Sequence, residues 1–219
     1  MMSDFLGGQP VRSITKSIPK KSPSFRKRPK KRHGMIESGK TILTVDQHHK
    51  PIETIRRRGW FSTGSNPSVK VSGSRHGVTV LGAISNDRDS FYYWSEETLT
   101  AEHGIAILRS LVDEYGENIV VLLDRAPYFY AKDVCEFVSG ERSTEFVGDT
   151  SVERVVGDSL EVWYFPPHAP ELNPVEECWN QLEAWFNYRL VKDLDGLKGM
   201  LNRAFPTITP PNISNYLCP

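Results

Sequence analysis

The chain has 219 residues, a quarter of them charged and 38% hydrophobic, enough for one α/β domain with an appendage and too few for two large domains. Formal net charge is zero, with 27 Lys or Arg against 27 Asp or Glu, so whole-chain charge gives no sign of a polyanionic partner. The three cysteines, Cys135, Cys178 and Cys218, lack paired Cys-x-x-Cys spacing, which excludes a disulfide framework and a structural zinc site and points to a cytoplasmic protein; no apolar run approaches the ~18 residues that span a bilayer, so no membrane is expected.

The charge is unevenly placed. From Arg12 to Lys40 there are eleven Lys or Arg and one acid, Glu37. Within this stretch Arg26, Lys27, Arg28, Lys30, Lys31 and Arg32 flank Pro29. Residues 1–40 read as an extended basic arm, either a solvated leader or a segment that contacts DNA phosphates and releases counterions. At Thr41 the pattern changes to Thr-Ile-Leu-Thr-Val-Asp46, a strand that ends on an acid. An Asp at a buried strand end is costly unless its charge is compensated, as by a metal ion; the alternative is an exposed Asp that opens a turn. His48 and His49, just beyond, read as surface residues.

Residues 78–85 and 90–94, separated by Asn86-Asp-Arg-Asp89, read as a β-hairpin. A helix capped by Thr100 follows, with Ile105, Leu108, Leu111, Val112 and Tyr115 on one face. The run Ile119-Val-Val-Leu-Leu-Asp124 has the continuous apolar character of a strand buried on both faces, and it too ends on Asp. After a helical crossover it should lie parallel to the first strand and beside it, bringing Asp46 and Asp124 to the same edge of the sheet. Such carboxylates repel one another without a cation.

A helix from Ala131 to Val138 is expected next, and residues 139–159 read as an inserted loop or small hairpin. A strand over Val162–Phe165 is stopped by Pro166 and Pro167. The chain then reads Phe-Pro-Pro-His-Ala-Pro-Glu-Leu-Asn-Pro-Val-Glu-Glu-Cys-Trp to Trp179. Asn173 suits an N-cap and Pro174 the first helical position, followed by Val175, Cys178, Trp179, Leu182, Trp185 and Phe186 at helical spacing. Glu176 therefore lies in a helix's first turn, where a capping-box role is also available to it. Trp179 and Trp185 read as core residues. A second helix, 194–204, precedes the Pro-rich tail 206–219.

The segment ending at Trp179 resembles the Leu-Asn-Pro-acid signature of transposases of the Tc/mariner superfamily, particularly its bacterial and archaeal insertion-sequence branch. Arg58-Gly59-Trp60 and Gly64-Ser-Asn-Pro67, downstream of Asp46, resemble further motifs of that family. The resemblance covers residues 41–205 and implies a ribonuclease-H-like α/β fold, a mixed five-stranded sheet flanked by helices. It also implies a catalytic triad, Asp46, Asp124 and Glu176, that binds two Mg²⁺ or Mn²⁺ ions. The implied activity is DNA phosphodiester cleavage at transposon ends with strand transfer into target DNA, and a homodimer is compatible with it. Three positions depart from the family pattern: Gln47 where an acid is usual, Arg125 where Asn is usual, and Phe129 where His is usual. The Asp124 to Glu176 interval, 51 residues, is longer than is usual there. No helix-turn-helix pattern precedes the first strand, so recognition of transposon ends is expected to be missing or supplied by a separate polypeptide. An inactive DNA-binding relic and another nuclease on this fold remain the rival readings.

Overall fold

The computed structural model describes residues 11–13, 39–52, 62–65, 76–147, 150–166, 172–187 and 189–217. Its centre is one mixed sheet. In chain order the strands are β1 (Val11–Ser13), β2 (Thr41–Pro51), β3 (Gly77–Ser85), β4 (Ser90–Ser95), β5 (Ile119–Leu123), β6 (Arg142–Val147), β7 (Thr150–Val156) and β8 (Leu160–Tyr164). In space they run β1-β4-β3-β2-β5-β8-β7-β6. The expected five strands are thus corrected to seven from residue 41 onward, with the three-residue β1 added at the β4 edge. The two extra core strands are β6 and β7, an antiparallel hairpin formed by the segment read as an inserted loop or hairpin. It continues the sheet beyond β8 through the antiparallel β7–β8 pair.

β2, β3 and β4 form an antiparallel meander. Helix α1 (Ala101–Tyr115) then crosses over the sheet and returns the chain as β5, parallel to β2 and beside it, as expected. All five residues of β5 are buried, the pattern of a strand covered on both faces. α2 (Pro127–Tyr130) and α3 (Lys132–Val138) follow it, where one helix from Ala131 was expected. After β8 come α4 (Val175–Phe186), α5 (Leu194–Ala204) and a short terminal turn, α6 (Ser214–Leu217).

Strand alternation divides the core between the two faces. Leu43, Val45, Val121 and Leu123 pack with Leu108 and Leu111 of α1 and with Phe129 and Val134. Ile42, Val120 and Leu122 pack on the other face with Trp179, Leu182 and Phe186 of α4 and with Leu197 and Leu201 of α5. A buried Leu or Phe contributes about 1.5–3 kcal/mol, so the two clusters fix which way each strand faces. The segment after α5 is tied down: Ile208 and Ile213 are buried, and Gln181 of α4 donates to Thr209 O at 2.8 Å and accepts from Thr209 N at 2.9 Å. Among the described residues no helix is long and apolar enough to cross a membrane.

Candidate active site

β2 does not end at Asp46. It continues to Pro51, and Asp46 is its sixth residue. The expectation of a strand-end acid fails because Gln47-His-His-Lys50, polar enough to read as a turn, keeps pairing with β3 through Pro51 opposite Gly77. The even-numbered residues Asp46, His48 and Lys50 extend the row of Ile42 toward α4, so their polarity is compensated by that helix.

The parallel register of β2 and β5 pairs Thr41 with Ile119 and Thr44 with Leu122. β5 ends at Leu123, so Asp124 follows directly after it, near enough to Asp46 for its charge to act on that carboxyl. α4 begins over this edge. Asn173 Oδ1 accepts from Val175 N at 3.2 Å, but the N-cap is Pro174 rather than the expected Asn173, and the regular helix begins one residue later, at Val175. Glu176 and Glu177 occupy the first turn, both exposed. The two acids separate by partner: Glu177 Oε2 accepts a hydrogen bond from Tyr216 at 2.7 Å, whereas the charge of Glu176 acts on Asp46.

Asp46 is 8% exposed. Burial is the main reason its carboxyl is pushed up to about 7; the Trp179 N–H bond and the Gln47 backbone oppose the rise, and the charges of Glu176 and Asp124 add to it. Burial also raises the half-buried Asp124, against the Ala126 N–H that donates to its Oδ1 at 3.2 Å. Tyr128, whose hydroxyl donates to Gln47 Oε1 at 2.7 Å, is raised by burial and by the charges of Asp124 and Asp46, which places it beside both.

An all-carboxylate set suits a hard divalent cation. The Asp46 and Asp124 pair fits one: a buried carboxyl, disfavoured as an anion by burial and by its acidic neighbours, gains most from a positive charge. Among the described residues, however, no three His, Cys, Asp or Glu side chains converge closely enough as placed to hold an ion. Glu176 stays at the solvent side.

Several site residues escaped the sequence reading. Trp179 is core, as expected, yet its Nε1 donates to Asp46 Oδ2 at 2.8 Å. His48, read as a surface residue, stacks on the Trp179 ring and contacts Glu183 Oε1 at 2.9 Å through Nε2. Lys50, 2% exposed, donates to both oxygens of Glu183 at 2.9 and 2.8 Å. Burial would raise Glu183, but the hydrogen bonds from His48 and Lys50 and their charges bring it down to about 2. The available signal lay in the helix, where Glu176, Trp179 and Glu183 fall at helical spacing; in β2 the contiguous polar run 46–50 masked the alternation.

Arg125, the departure beside Asp124, lies against the hairpin. Its Nε donates to Phe165 O at 3.3 Å and its Nη1 is 3.5 Å from Glu153 of β7. Glu153 also accepts from the Tyr130 hydroxyl. The basic residues Arg26, Lys27, Arg28, Lys30, Lys31 and Arg32 lie outside the described residues, as do Arg58-Gly59-Trp60 and the Asn66-Pro67 end of the second motif.

Residues 41–198 match the family described as DDE superfamily endonuclease. Over 43 residues the chain is 40% identical to the uncharacterized protein y4pE/y4sA of Sinorhizobium fredii (strain NBRC 101917 / NGR234), a match covering 19% of this chain and 32% of that one. Among solved structures it is similar to the Mos1 mariner paired end complex with Mn, at TM-score 0.59 and 14% identity over 91% of this chain and 63% of that one. The pre-cleavage Mos1 transpososome gives TM-score 0.59 and 13% identity over 91% and 64%, and the Mos1 paired end complex with Mg 0.54 and 16% over 93% and 62%. The chain thus spans less than two thirds of the Mos1 chains and about a third of the curated relative, and at these identities the likeness to Mos1 is one of fold, the ribonuclease-H-like core. With most of its length inside the family match, the chain belongs to the DDE superfamily endonucleases.

Proposed function

We propose that this chain is the catalytic domain of a Tc/mariner-type transposase, in which Asp46, Asp124 and Glu176 hold two Mg²⁺ or Mn²⁺ ions and cleave DNA at transposon ends before strand transfer into target DNA. The observation that carries the reading is a buried Asp46 on the strand parallel to β5, whose next residue is Asp124, with the charges of Asp124 and Glu176 both acting on its carboxyl. Family membership supports the nuclease class, and the Mos1 complexes, paired end complexes with Mn or Mg, support the metal and the DNA partner. When bound, such ions activate a water or a 3′-hydroxyl and stabilise the leaving oxygen of an in-line displacement. The chain's own part is to hold. Asp46 and Asp124 are fixed by the two central strands, Asp46 is kept ionisable by the Trp179 donor, and Glu176 comes in from the helix start to complete the set.

Residues 1–40 would act as a basic arm on phosphates, 41–205 as the catalytic domain and 206–219 as a C-terminal segment. A homodimer and a separate helix-turn-helix polypeptide are the protein partners this reading brings. The decisive experiment is cleavage of a supercoiled plasmid and of a duplex carrying the element's end, with and without Mg²⁺. Asp124→Asn should abolish the metal-dependent activity with the fold intact, and normal cleavage by that variant would overturn the assignment. Nicking without joining to a target would leave a nuclease rather than a transposase.

A further inference from the structure

Three features converge on one carboxylate oxygen. The Trp179 indole donates to Asp46 Oδ2 at 2.8 Å, with both residues buried. It reaches that oxygen because Gly82, the cross-strand partner of Asp46, has no side chain: a Cβ there would lie 2.6 Å from Trp179 Cη2. On the indole stacks His48, at 5.3 Å between centroids and 20° between planes. His48 is held in turn by Glu183, and Glu183 by the buried Lys50.

An indole N–H donates and does not accept, so Trp179 Nε1 cannot serve as a metal ligand. What it does is fix the rotation of the Asp46 carboxylate and engage one of its oxygens. We propose that Trp179 is a positioning residue for the cation site, seated by Gly82 and by the His48, Glu183 and Lys50 cluster, and that it orients Asp46 so that Oδ1 is the oxygen offered to the metal. A tryptophan that served packing alone would need any acceptor for its N–H. Here the acceptor is a carboxylate that packing alone would disfavour, reached through a space cleared by a glycine. The inference rests on the reading of Asp46 as a metal ligand.

The test measures Mn²⁺ binding to the full chain by electron paramagnetic resonance of the free ion, without reference to cleavage. Trp179→Phe keeps a ring on His48 and above Gly82 but removes the donor. It should lower Mn²⁺ affinity by about tenfold, the lower end of the loss usual when a group that orients a metal ligand is removed. In an Asp46→Asn background the same change should have no further effect. Wild-type affinity in Trp179→Phe, or an equal added loss in the Asp46→Asn background, overturns the inference. Wild-type affinity in Asp46→Asn alone overturns instead the cation-site reading beneath it. If Trp179→Phe folds poorly, the indole N–H resonances of the five tryptophans in the native chain decide: the one displaced by Asp46→Asn must shift when Mg²⁺ is added, and an unmoved resonance refutes the proposal.

Discussion

Asp46 and Gly82 face each other across the β2–β3 pair, and the ring of Trp179 occupies the space that a side chain at Gly82 would fill. Gly82→Ala should therefore act at a distance from its own backbone. The added methyl group displaces the indole, at a cost of about 1–3 kcal/mol for overpacking. We expect a lower melting temperature together with a smaller stabilising effect of Mg²⁺ than in the native chain, both read from thermal melts with and without the ion.

Asp46 also predicts how the metal-free protein responds to pH. Burial pushes its folded carboxyl up to about 7 from an ordinary value of 3.8, so between these values the folded state binds more protons than the unfolded state. Stability is then greatest at the acidic end and falls as pH rises from about 4 to 7, and ionised Asp46 costs the fold on the order of 4 kcal/mol. Asp46→Asn should melt higher than the native chain at pH 7.5 without metal, with a flatter profile over that window. Equal melting temperatures at pH 7.5 would contradict this.

Glu183 works in the opposite direction. Its carboxyl is depressed to about 2, so the stability it contributes is complete above its ordinary value near 4.5 and is lost as pH falls from there toward 2. Glu183→Gln leaves the Lys50 ammonium buried without a counter-charge, a loss of about 3 kcal/mol. Urea denaturation at pH 7 should show that decrease, and an acid titration of the variant should lack the steep fall below pH 4.5.

The first turn of α4 offers two acids for one role. Tyr216 engages Glu177, so Glu176→Gln should abolish Mg²⁺-dependent cleavage while Glu177→Gln retains it. Tyr216→Phe should change cleavage little. Loss of activity in Glu177→Gln with retention in Glu176→Gln would reverse the assignment.

DNA binding is expected to depend on the arm. Affinity should fall steeply with salt, weaken when Arg26 to Arg32 are replaced by Ala, and barely separate an inverted repeat from random duplex of equal length, since phosphate contacts carry no sequence information. In a competition assay, a preference for the repeat of about a thousandfold would instead reveal a recognition module.

Much of this arrangement was legible in the sequence, because it rests on local pattern. The apolar run before Asp124, the β3–β4 hairpin, α1 and the Asn173-Pro174 start of α4 each follow from neighbouring residues. What stayed hidden depends on distant partners. Residues 47–50 look like a turn until Glu183 appears opposite Lys50, and that partner is 133 positions away. Arg125 reads as a departure from a motif, yet its counter-charge Glu153 sits on the β6–β7 hairpin, whose alternating Gly, acids and Val give no clear strand period. The five-strand expectation failed for the same reason: β6 and β7 are held to the sheet by β8, and their own pattern does not announce them.

The order of the strands bears on how the chain is made. β2, β3 and β4 can pair as soon as they leave the ribosome, but β5 emerges with one side on β2 and the other waiting for β8, which the hairpin delays. For that interval the apolar Ile119–Leu123 presents an open edge, the kind of surface on which nascent chains associate wrongly. α4, which supplies Glu176 and seats Asp46 through Trp179, emerges later still. A nascent chain therefore carries its two aspartates for some time before the third acid and the indole arrive, and translation speed across residues 124–186 should affect soluble yield more than it does anywhere earlier in the domain.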